Sequence, residues 1–149
     1  MIDLPPIETT TNVVTYEMIE RAARLTETPI LGLYLILKVE GGTVGECNAT
    51  NDCGPFQVNR QHYNDLEKYG LSRSLIINNA YGNTLAAAII FRQKLNVCGA
   101  YTNYDWFDKL ACYHSFTPKF RLKYRTKLIK KAEKLLPPKT INRFLANGG

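Results

Sequence analysis

A single glutamate before a glycine-rich polar loop is the part of the sequence best suited to acid–base chemistry. Glu40 ends the most apolar segment of the chain, residues 30–39, and Gly41 and Gly42 follow it directly. A buried helix ending at Glu40 would surround the carboxyl group with apolar side chains and place it at the negative end of the helix dipole. Both effects disfavour the ionised form, as a general acid working near neutral pH requires. The alternative is a solvated glutamate at a helix end.

Two further carboxylates, Glu46 and Asp52, lie in the loop that follows, residues 41–59. The abundance of Gly, Asn, Thr and Asp there predicts turns rather than a regular element. Glycoside hydrolysis ordinarily uses two carboxyl groups. Either residue is therefore a candidate for the second carboxylate of a hydrolytic site.

The four cysteines form two pairs that are close in sequence, Cys47 with Cys53 and Cys98 with Cys112. An even count favours disulfides, which persist in oxidising compartments, with free thiols as the alternative. Zinc sites usually show closer cysteine spacing, and the chain has only two histidines. We therefore expect no metal and no cofactor. Of the three possible connectivities, we favour the two local pairs.

Residues 119–134 carry eight basic side chains and one acidic side chain. The lysines that recur at helical spacing are Lys119, Lys123, Lys127, Lys130 and Lys134. The predicted apolar side of this helix consists of Phe120, Tyr124, Leu128 and Leu135. A basic helix can neutralise phosphates, so a nucleic-acid-binding module is an alternative function. A solvated face, or attraction to the carboxylates of a cell wall, would explain the same charge.

These residues must be positioned by a mainly α chain, because helix signals dominate. Thr15 is a predicted N-cap, Thr28 precedes a proline at the first helical position, and Gly41 is a predicted helix stop. The predicted helices cover residues 16–26, 29–40, 60–68, 84–95, 104–113, 118–136 and 139–145. We expect the first dozen residues and the final Asn-Gly-Gly to be poorly ordered.

Residues 39–42 (Val-Glu-Gly-Gly) and 52–59 (Asp-Cys-Gly-Pro-Phe-Gln-Val-Asn) together resemble the two opening motifs of the soluble lytic transglycosylases, a family of lysozyme-like peptidoglycan lyases. The alanine-rich residues 83–89 are similar to the family's third helix, and residues 111–115 are similar to its Ala-Tyr-Asn-Ala-Gly element. The Tyr-His-Ser-x-Thr-Pro form of that element resembles the branch associated with conjugation and type IV secretion. The resemblance covers residues 28–131. Gly41 departs from the family's usual serine, and His114 and Phe116 replace its common Asn and Gly.

The resemblance implies a lysozyme-like fold, of the type shared by goose-type lysozyme and the catalytic domain of soluble lytic transglycosylases. Glu40 would protonate the oxygen between N-acetylmuramic acid and N-acetylglucosamine while the acetamido group supports charge at the anomeric carbon. The same residue would then take the proton from the muramic C6 hydroxyl, which attacks to give a 1,6-anhydro end. Water is not consumed. A hydrolytic, lysozyme-type muramidase is the closest chemical alternative.

The family pattern also implies roles for residues that do not transfer protons. Gln57 would hydrogen-bond substrate near the cleaved bond, and Tyr113 would orient Glu40. Weaker candidates for lining the glycan groove are Phe56, Asn59 and Ser115. Phe56 is equally well interpreted as a core plug, and His114 as a cap or core contact.

Length and composition predict one domain over residues 1–149 with its core at about residues 13–136. The chain is 45% hydrophobic and has a net charge of +6, and residues 29–39 are too few to cross a bilayer. The first residues show no basic patch followed by an apolar segment, which leaves a cytosolic protein or one whose signal peptide is absent; because disulfides persist in oxidising compartments, we expect an exported, periplasmic protein. The expected partners are peptidoglycan glycan strands and components of an envelope-spanning secretion, conjugation or pilus machine.

Overall fold

A computed structural model describes residues 12–147, and they are mainly helical, which confirms the predicted mainly α class. The helices are α1 Tyr16–Thr26, α2 Ile30–Glu40, α3 Tyr63–Glu67, α4 Arg73–Asn78, α5 Ala80–Cys98, α6 Trp106–Ala111, α7 Pro118–Leu135 and α8 Pro138–Asn147. The strands are β1 Asp52–Cys53 and β2 Val58–Asn59, and a 3-10 turn covers Arg60–His62. Apart from Asn12 and Asn147, the termini expected to be poorly ordered lie outside the described residues.

The chain divides into two compact units, residues 1–90 and 91–149, and α5 passes from the first to the second. Over the described range, no helix combines the length and the apolar character that crossing a bilayer requires. The division by itself does not test the predicted single domain, which stays a prediction.

The first two helices of the first unit are bounded largely as their capping residues predict. Thr15 caps α1, since its side-chain oxygen accepts a hydrogen bond from the Met18 N–H at 3.3 Å. The predicted start of α2 is one residue early, because Pro29 is the N-cap and the Thr28 hydroxyl lies 2.9 Å from that of Thr26. Gly41 ends α2 with φ of +57°, which glycine adopts without steric cost.

The loop after α2 contains a regular element that its composition did not predict. β1 and β2 form an antiparallel hairpin, with Asp52 opposite Asn59 and Cys53 opposite Val58. The Cys47–Cys53 disulfide closes the preceding loop across an isolated bridge between the same two residues. The prediction of turns alone was therefore wrong over these short strands, which pair through tertiary context rather than strand propensity.

The segment between the predicted helices 60–68 and 84–95, to which no element was assigned, is mostly helical. Ser72 caps α4 by accepting a hydrogen bond from the Leu75 N–H at 3.2 Å. Asn79 accepts one from the Gly82 N–H at 2.8 Å, so α5 begins at Ala80, four residues earlier than predicted. Residues 80–91 are all buried. Helix α5 is therefore a core helix.

In the second unit, α6 packs against α7 and α8. Asp105 and Asp108 form a capping box at the start of α6, and they pair with Arg125 and Arg121 of α7. The Cys98–Cys112 disulfide ties the end of α5 to the residue after α6.

The predicted apolar side of α7 is correct only in part. Tyr124 and Leu128 are buried, but Phe120 and Leu135 are 50% and 44% exposed. Arg121 and Ala132 are buried instead. The buried side is rotated from the predicted one because the ion pair of Arg121 with α6 takes an arginine into the packed face.

Candidate active site

Glu40 is the last residue of α2, as predicted, and its side chain is half-buried. The left-handed Gly41 turns the chain sharply, and its N–H closes the helix by donating to the Leu37 carbonyl at 2.9 Å. The carboxyl group is therefore carried by a capped helix end rather than by a loose loop.

Gly42 brings the backbone just after Glu40 onto the hairpin turn at residues 54–57. Its N–H donates to the Pro55 carbonyl at 3.2 Å. A Cβ placed on Gly42 would lie 2.0 Å from the Gly54 oxygen and 2.4 Å from Gln57 Nε2. Only glycine allows this approach. Glu40 and Gln57, the predicted acid and the predicted substrate-binding residue, are thus carried by segments in direct contact.

Gln57 has a backbone conformation that is unusual for a residue with a side chain. Its φ is +52°, in the left-handed region that costs an L-residue roughly 1–2 kcal/mol. The backbone N–H and Nε2 both donate to the Gly54 carbonyl at 3.0 Å, and Oε1 accepts from Asn48 Nδ2 at 3.0 Å. These bonds use one of the two Nε2 hydrogens and one of the two Oε1 lone pairs, so both ends of the amide can also bind a ligand.

Asn83 supports this turn from beneath, and the sequence did not single it out for that role. Its Oδ1 accepts from the Phe56 N–H at 2.9 Å, and Nδ2 donates to the carbonyls of Cys53 and Ile76, both at 2.9 Å. The side chain is 0% exposed. A lone asparagine in the apolar run of α5 is the signal that could have indicated it, because a buried amide needs partners.

Asp52 and Asn59 hold the hairpin together. Asp52 accepts hydrogen bonds from Thr50 Oγ1 at 2.6 Å, Asn59 Nδ2 at 2.9 Å and Asn48 Nδ2 at 3.2 Å. Asn59 also donates to the Thr50 carbonyl and accepts from the Gln61 N–H, both at 3.0 Å. Both side chains therefore stabilise the hairpin.

The two other loop candidates differ in exposure. Glu46 is exposed, and its backbone carbonyl accepts from the Gly54 N–H at 2.9 Å. The Phe56 ring is 0% exposed. Of the two interpretations of Phe56, the core plug fits this burial, because the ring has no exposed surface with which to line a groove.

Tyr113, His114 and Ser115 lie in the second unit, in the turn between α6 and α7. Tyr113 is buried, and its ring meets Phe91 edge-on with centroids 6.3 Å apart. His114 is exposed and its ring stacks on that of Tyr124, with the ring centroids 4.8 Å apart. Ser115 Oγ accepts from the Thr117 N–H at 3.0 Å, next to the start of α7.

An open groove of about 360 Å³ flanks the C-terminus of α2. Its lining comes from the chain before α1, the end of α2 and the following loop: Asn12, Val13, Val14, Leu37, Lys38, Gly41, Gly42, Thr43, Val44 and Pro55. The two residues directly after Glu40 thus form part of its wall. Mixed apolar and polar walls of this kind suit a sugar ring, which has both apolar faces and hydroxyl edges.

Both cysteine pairs are oxidised, with the two local connectivities that we favoured. Among residues 12–147 no cluster of three or more His, Cys, Asp or Glu side chains is arranged to hold a metal ion.

The basic helix α7 has two kinds of cation. Arg121 and Arg125 are committed to the Asp108 and Asp105 carboxylates. The five lysines predicted on one side are all exposed, and within the described part of the chain none of them forms a salt bridge: Lys119, Lys123, Lys127, Lys130 and Lys134.

No protein-family model matches this chain, and no curated protein is significantly similar to it.

Proposed function

We propose that the protein is a peptidoglycan lytic transglycosylase with a lysozyme-like fold and Glu40 as its acid and base. The carboxyl group protonates the glycosidic oxygen between N-acetylmuramic acid and N-acetylglucosamine, and that bond breaks. The carboxylate then accepts the proton of the muramic C6 hydroxyl, whose oxygen bonds to the anomeric carbon. Each proton transfer is worth about 10²–10⁴-fold, and the tethered hydroxyl adds a proximity effect.

The observation that carries this proposal is the strained backbone of Gln57, whose turn packs directly against Gly42. Gly42 is the second residue after Glu40. Glycine would adopt a φ of +52° without strain. Outliers of this kind concentrate at functional sites, where the side chain offsets its conformational cost. A glutamine with spare hydrogen-bonding capacity beside the proposed acid supports substrate binding at that point.

Asp52 supports the lyase over the hydrolytic alternative. A hydrolase needs a second carboxylate that is accessible to water or to the sugar. The Asp52 carboxylate is partly buried and accepts hydrogen bonds from one side chain of its own hairpin and from two of the loop before it, which gives it a structural role. Glu46 is then the remaining candidate base in this loop.

The two disulfides support an exported protein that works in an oxidising compartment, the periplasm in this proposal. There it would open the wall locally for an envelope-spanning secretion, conjugation or pilus machine. That assignment follows from the resemblance of residues 111–118 alone.

The decisive experiment is digestion of purified sacculi, followed by mass spectrometry of the released muropeptides. The wild type should release 1,6-anhydro ends and Glu40→Gln should release none, with at least about a 10²-fold loss of rate. Glu17→Gln, which neutralises an exposed glutamate of the same unit outside both grooves, is the matched control and should retain full activity.

Reducing ends from the wild type would overturn the lyase assignment. If Glu46→Gln then abolished cleavage, the protein would be a hydrolase. Unchanged activity in Glu40→Gln would exclude Glu40 as the acid.

Gln57→Gly separates binding from folding. The substitution relieves about 1–2 kcal/mol of left-handed strain and removes two side-chain hydrogen bonds worth about 1 kcal/mol each, so the free energy of unfolding should change little. Cleavage should fall at least about tenfold. A variant with wild-type activity would remove Gln57 from the proposed site.

One observation favours a second function, binding of nucleic acid through the five exposed lysines of α7. A fluorescence titration with duplex DNA at two salt concentrations tests it. Affinity that falls steeply with salt, and that Lys119→Gln/Lys123→Gln weakens, would support it. No binding at low salt would exclude it.

A further inference from the structure

A second groove, of about 430 Å³, opens in the first unit and has a different character from the one beside Glu40. Its lining is entirely polar or charged: Arg60, Gln61, Tyr63, Asn64, Glu67, Ser72 and Arg73. It contains two guanidinium groups and one carboxylate, with amides and hydroxyls between them. None of these side chains has a role in the chemistry proposed for Glu40.

Both arginines belong to the lining of this groove. Arg73 lies over the Tyr63 ring, with its guanidinium carbon 6.0 Å from the ring centroid. Burial and, to a lesser extent, the negative charge of Asp52 raise the pKa of Tyr63, whereas the positive charges of Arg73 and, more weakly, Arg60 oppose that rise. Both cations therefore act on one phenol group. Among residues 12–147 neither arginine forms a salt bridge.

Tyr63 fixes the floor of the groove to the hairpin. Its hydroxyl donates to Cys53 Sγ at 3.1 Å, and Cys53 is bonded to Cys47. The cross-linked hairpin also contains Gln57 and Asp52. The groove is therefore built on the same rigid element as part of the proposed active site.

We propose that this groove binds the peptide stem of peptidoglycan, an inference that rests on the proposed function. The stem carries carboxylates, which match guanidinium groups in charge and in bidentate geometry. It also carries a free amine where its third residue is a diamino acid, and Glu67 is the group that can receive it. Gln61 and Asn64 offer the donors and acceptors that peptide groups require.

Glu67 makes this ligand more suitable than a polyanion. A carboxylate inside the groove repels a phosphate backbone but suits a ligand with both charges. The groove volume also exceeds what a single inorganic anion fills. The charges, amides and size together point to a short peptide of mixed charge.

The test measures binding of a free stem peptide, L-Ala–γ-D-Glu–meso-diaminopimelate–D-Ala, by titration followed with NMR or calorimetry. The peptide contains no glycosidic bond, so the measurement does not depend on catalysis. Arg60→Gln/Arg73→Gln should weaken binding at least about tenfold, since each charged hydrogen bond is strong. Lys119→Gln/Lys123→Gln loses the same net charge outside the groove and should bind like the wild type.

Equal weakening in the lysine control would mean general electrostatic attraction and would overturn the proposal. The proposal would also be overturned if the wild type did not bind the peptide. Full displacement of the peptide by an equal concentration of inorganic phosphate would overturn it as well. All four substituted residues are exposed, so thermal unfolding of each double variant should match the wild type and exclude misfolding as the cause.

A second readout separates this inference from the proposed function. On intact sacculi the arginine double variant should show a raised KM, and on glycan strands stripped of stems by an amidase it should match the wild type. Peptide binding without cleavage would leave the groove intact and refute the lyase. If the protein released anhydro products and the arginine double variant cleaved both substrates like the wild type, peptide binding by the groove would be refuted. The lyase assignment would still stand.

Discussion

Removing the Asn83 side chain should destabilise the protein more than any other single amide-to-alanine change in the hairpin or α5. The carboxamide makes three hydrogen bonds of 2.9 Å, to the Phe56 N–H and to the Cys53 and Ile76 carbonyls. It is completely buried. Asn83→Ala therefore removes the side-chain hydrogen-bond partner of these three backbone groups, and water cannot reach them to replace it.

The magnitude follows from the cost of each orphaned group. A buried donor or acceptor left without a partner costs about 1–3 kcal/mol. Three such groups, with partial relaxation of the turn, give a loss of about 3–5 kcal/mol in the free energy of unfolding. For a chain of this length that corresponds to a fall in Tm of roughly 6–20 °C.

Urea unfolding and calorimetry of the wild type and Asn83→Ala measure this loss. Asn96→Ala is the matched control, because Asn96 is an exposed asparagine of the same helix, and its side-chain oxygen accepts a hydrogen bond from Arg92 Nε at 3.2 Å. It should cost less than about 1 kcal/mol. A loss below about 1.5 kcal/mol for Asn83→Ala would refute the reasoning, since the hairpin would then hold its shape without the buried amide.

Three further predictions concern the glycine contact, a disulfide and an ion pair. Gly42→Ala should destabilise by at least about 1–3 kcal/mol and abolish cleavage, because its Cβ meets a backbone oxygen at 2.0 Å. Gly70→Ala, with a φ of +81° but open space around it, should cost only about 1 kcal/mol and keep activity. Replacing Cys98 and Cys112, 14 residues apart, with serine should lower the free energy of unfolding by about 3 kcal/mol in urea titrations. Burial opposes ionisation of Asp105, but hydrogen bonds from its partner arginine and from a backbone N–H lower its pKa overall. The ionised Asp105 carboxylate therefore stabilises the fold fully above the ordinary pKa of about 3.9, and this stabilisation is lost as the pH falls through the lower pKa of the folded protein. Asp105→Asn, which keeps an N-cap, should flatten the dependence of Tm on pH below about 5, and an unchanged slope would contradict this.

Helix ends set by local chemistry were predictable from the sequence. Thr15 satisfies an N–H of the first turn of α1, and Gly41 supplies the left-handed residue that ends α2, so each boundary depends on one residue and its neighbours. Both disulfide pairs were favoured for a similar reason, since short separations join adjacent elements. The general acid candidate Glu40 was found because its position depends only on where one apolar helix stops.

Features that depend on distant partners were not predictable in the same way. Asn83 gains its role from groups 7 to 30 residues away in sequence, and no pattern in α5 names those partners. Arg121 looked like part of a solvated basic face, but it is buried because Asp108, 13 residues earlier, pairs with it. The apolar side of α7 was misjudged for this reason. Periodicity locates a helix but cannot identify the polar residue that a neighbouring helix will neutralise.

The choice between lyase and hydrolase depends on how the hairpin uses its polar side chains. Asn48 accepts hydrogen bonds from the backbone N–H groups of Thr50 and Asp52, and its side-chain nitrogen donates to Asp52 and to Gln57. Asp52 is thereby tied into the framework that orients Gln57. A residue with that structural role cannot leave its partners to activate water without loosening the turn beside Glu40. Asp52→Asn should therefore lower stability, since it loses charge-assisted hydrogen bonds, and any loss of cleavage should accompany the loosened turn rather than a changed product. Release of only 1,6-anhydro ends by Asp52→Asn would agree with this argument, whereas a folded, stable variant that has lost all activity would assign Asp52 a direct catalytic role.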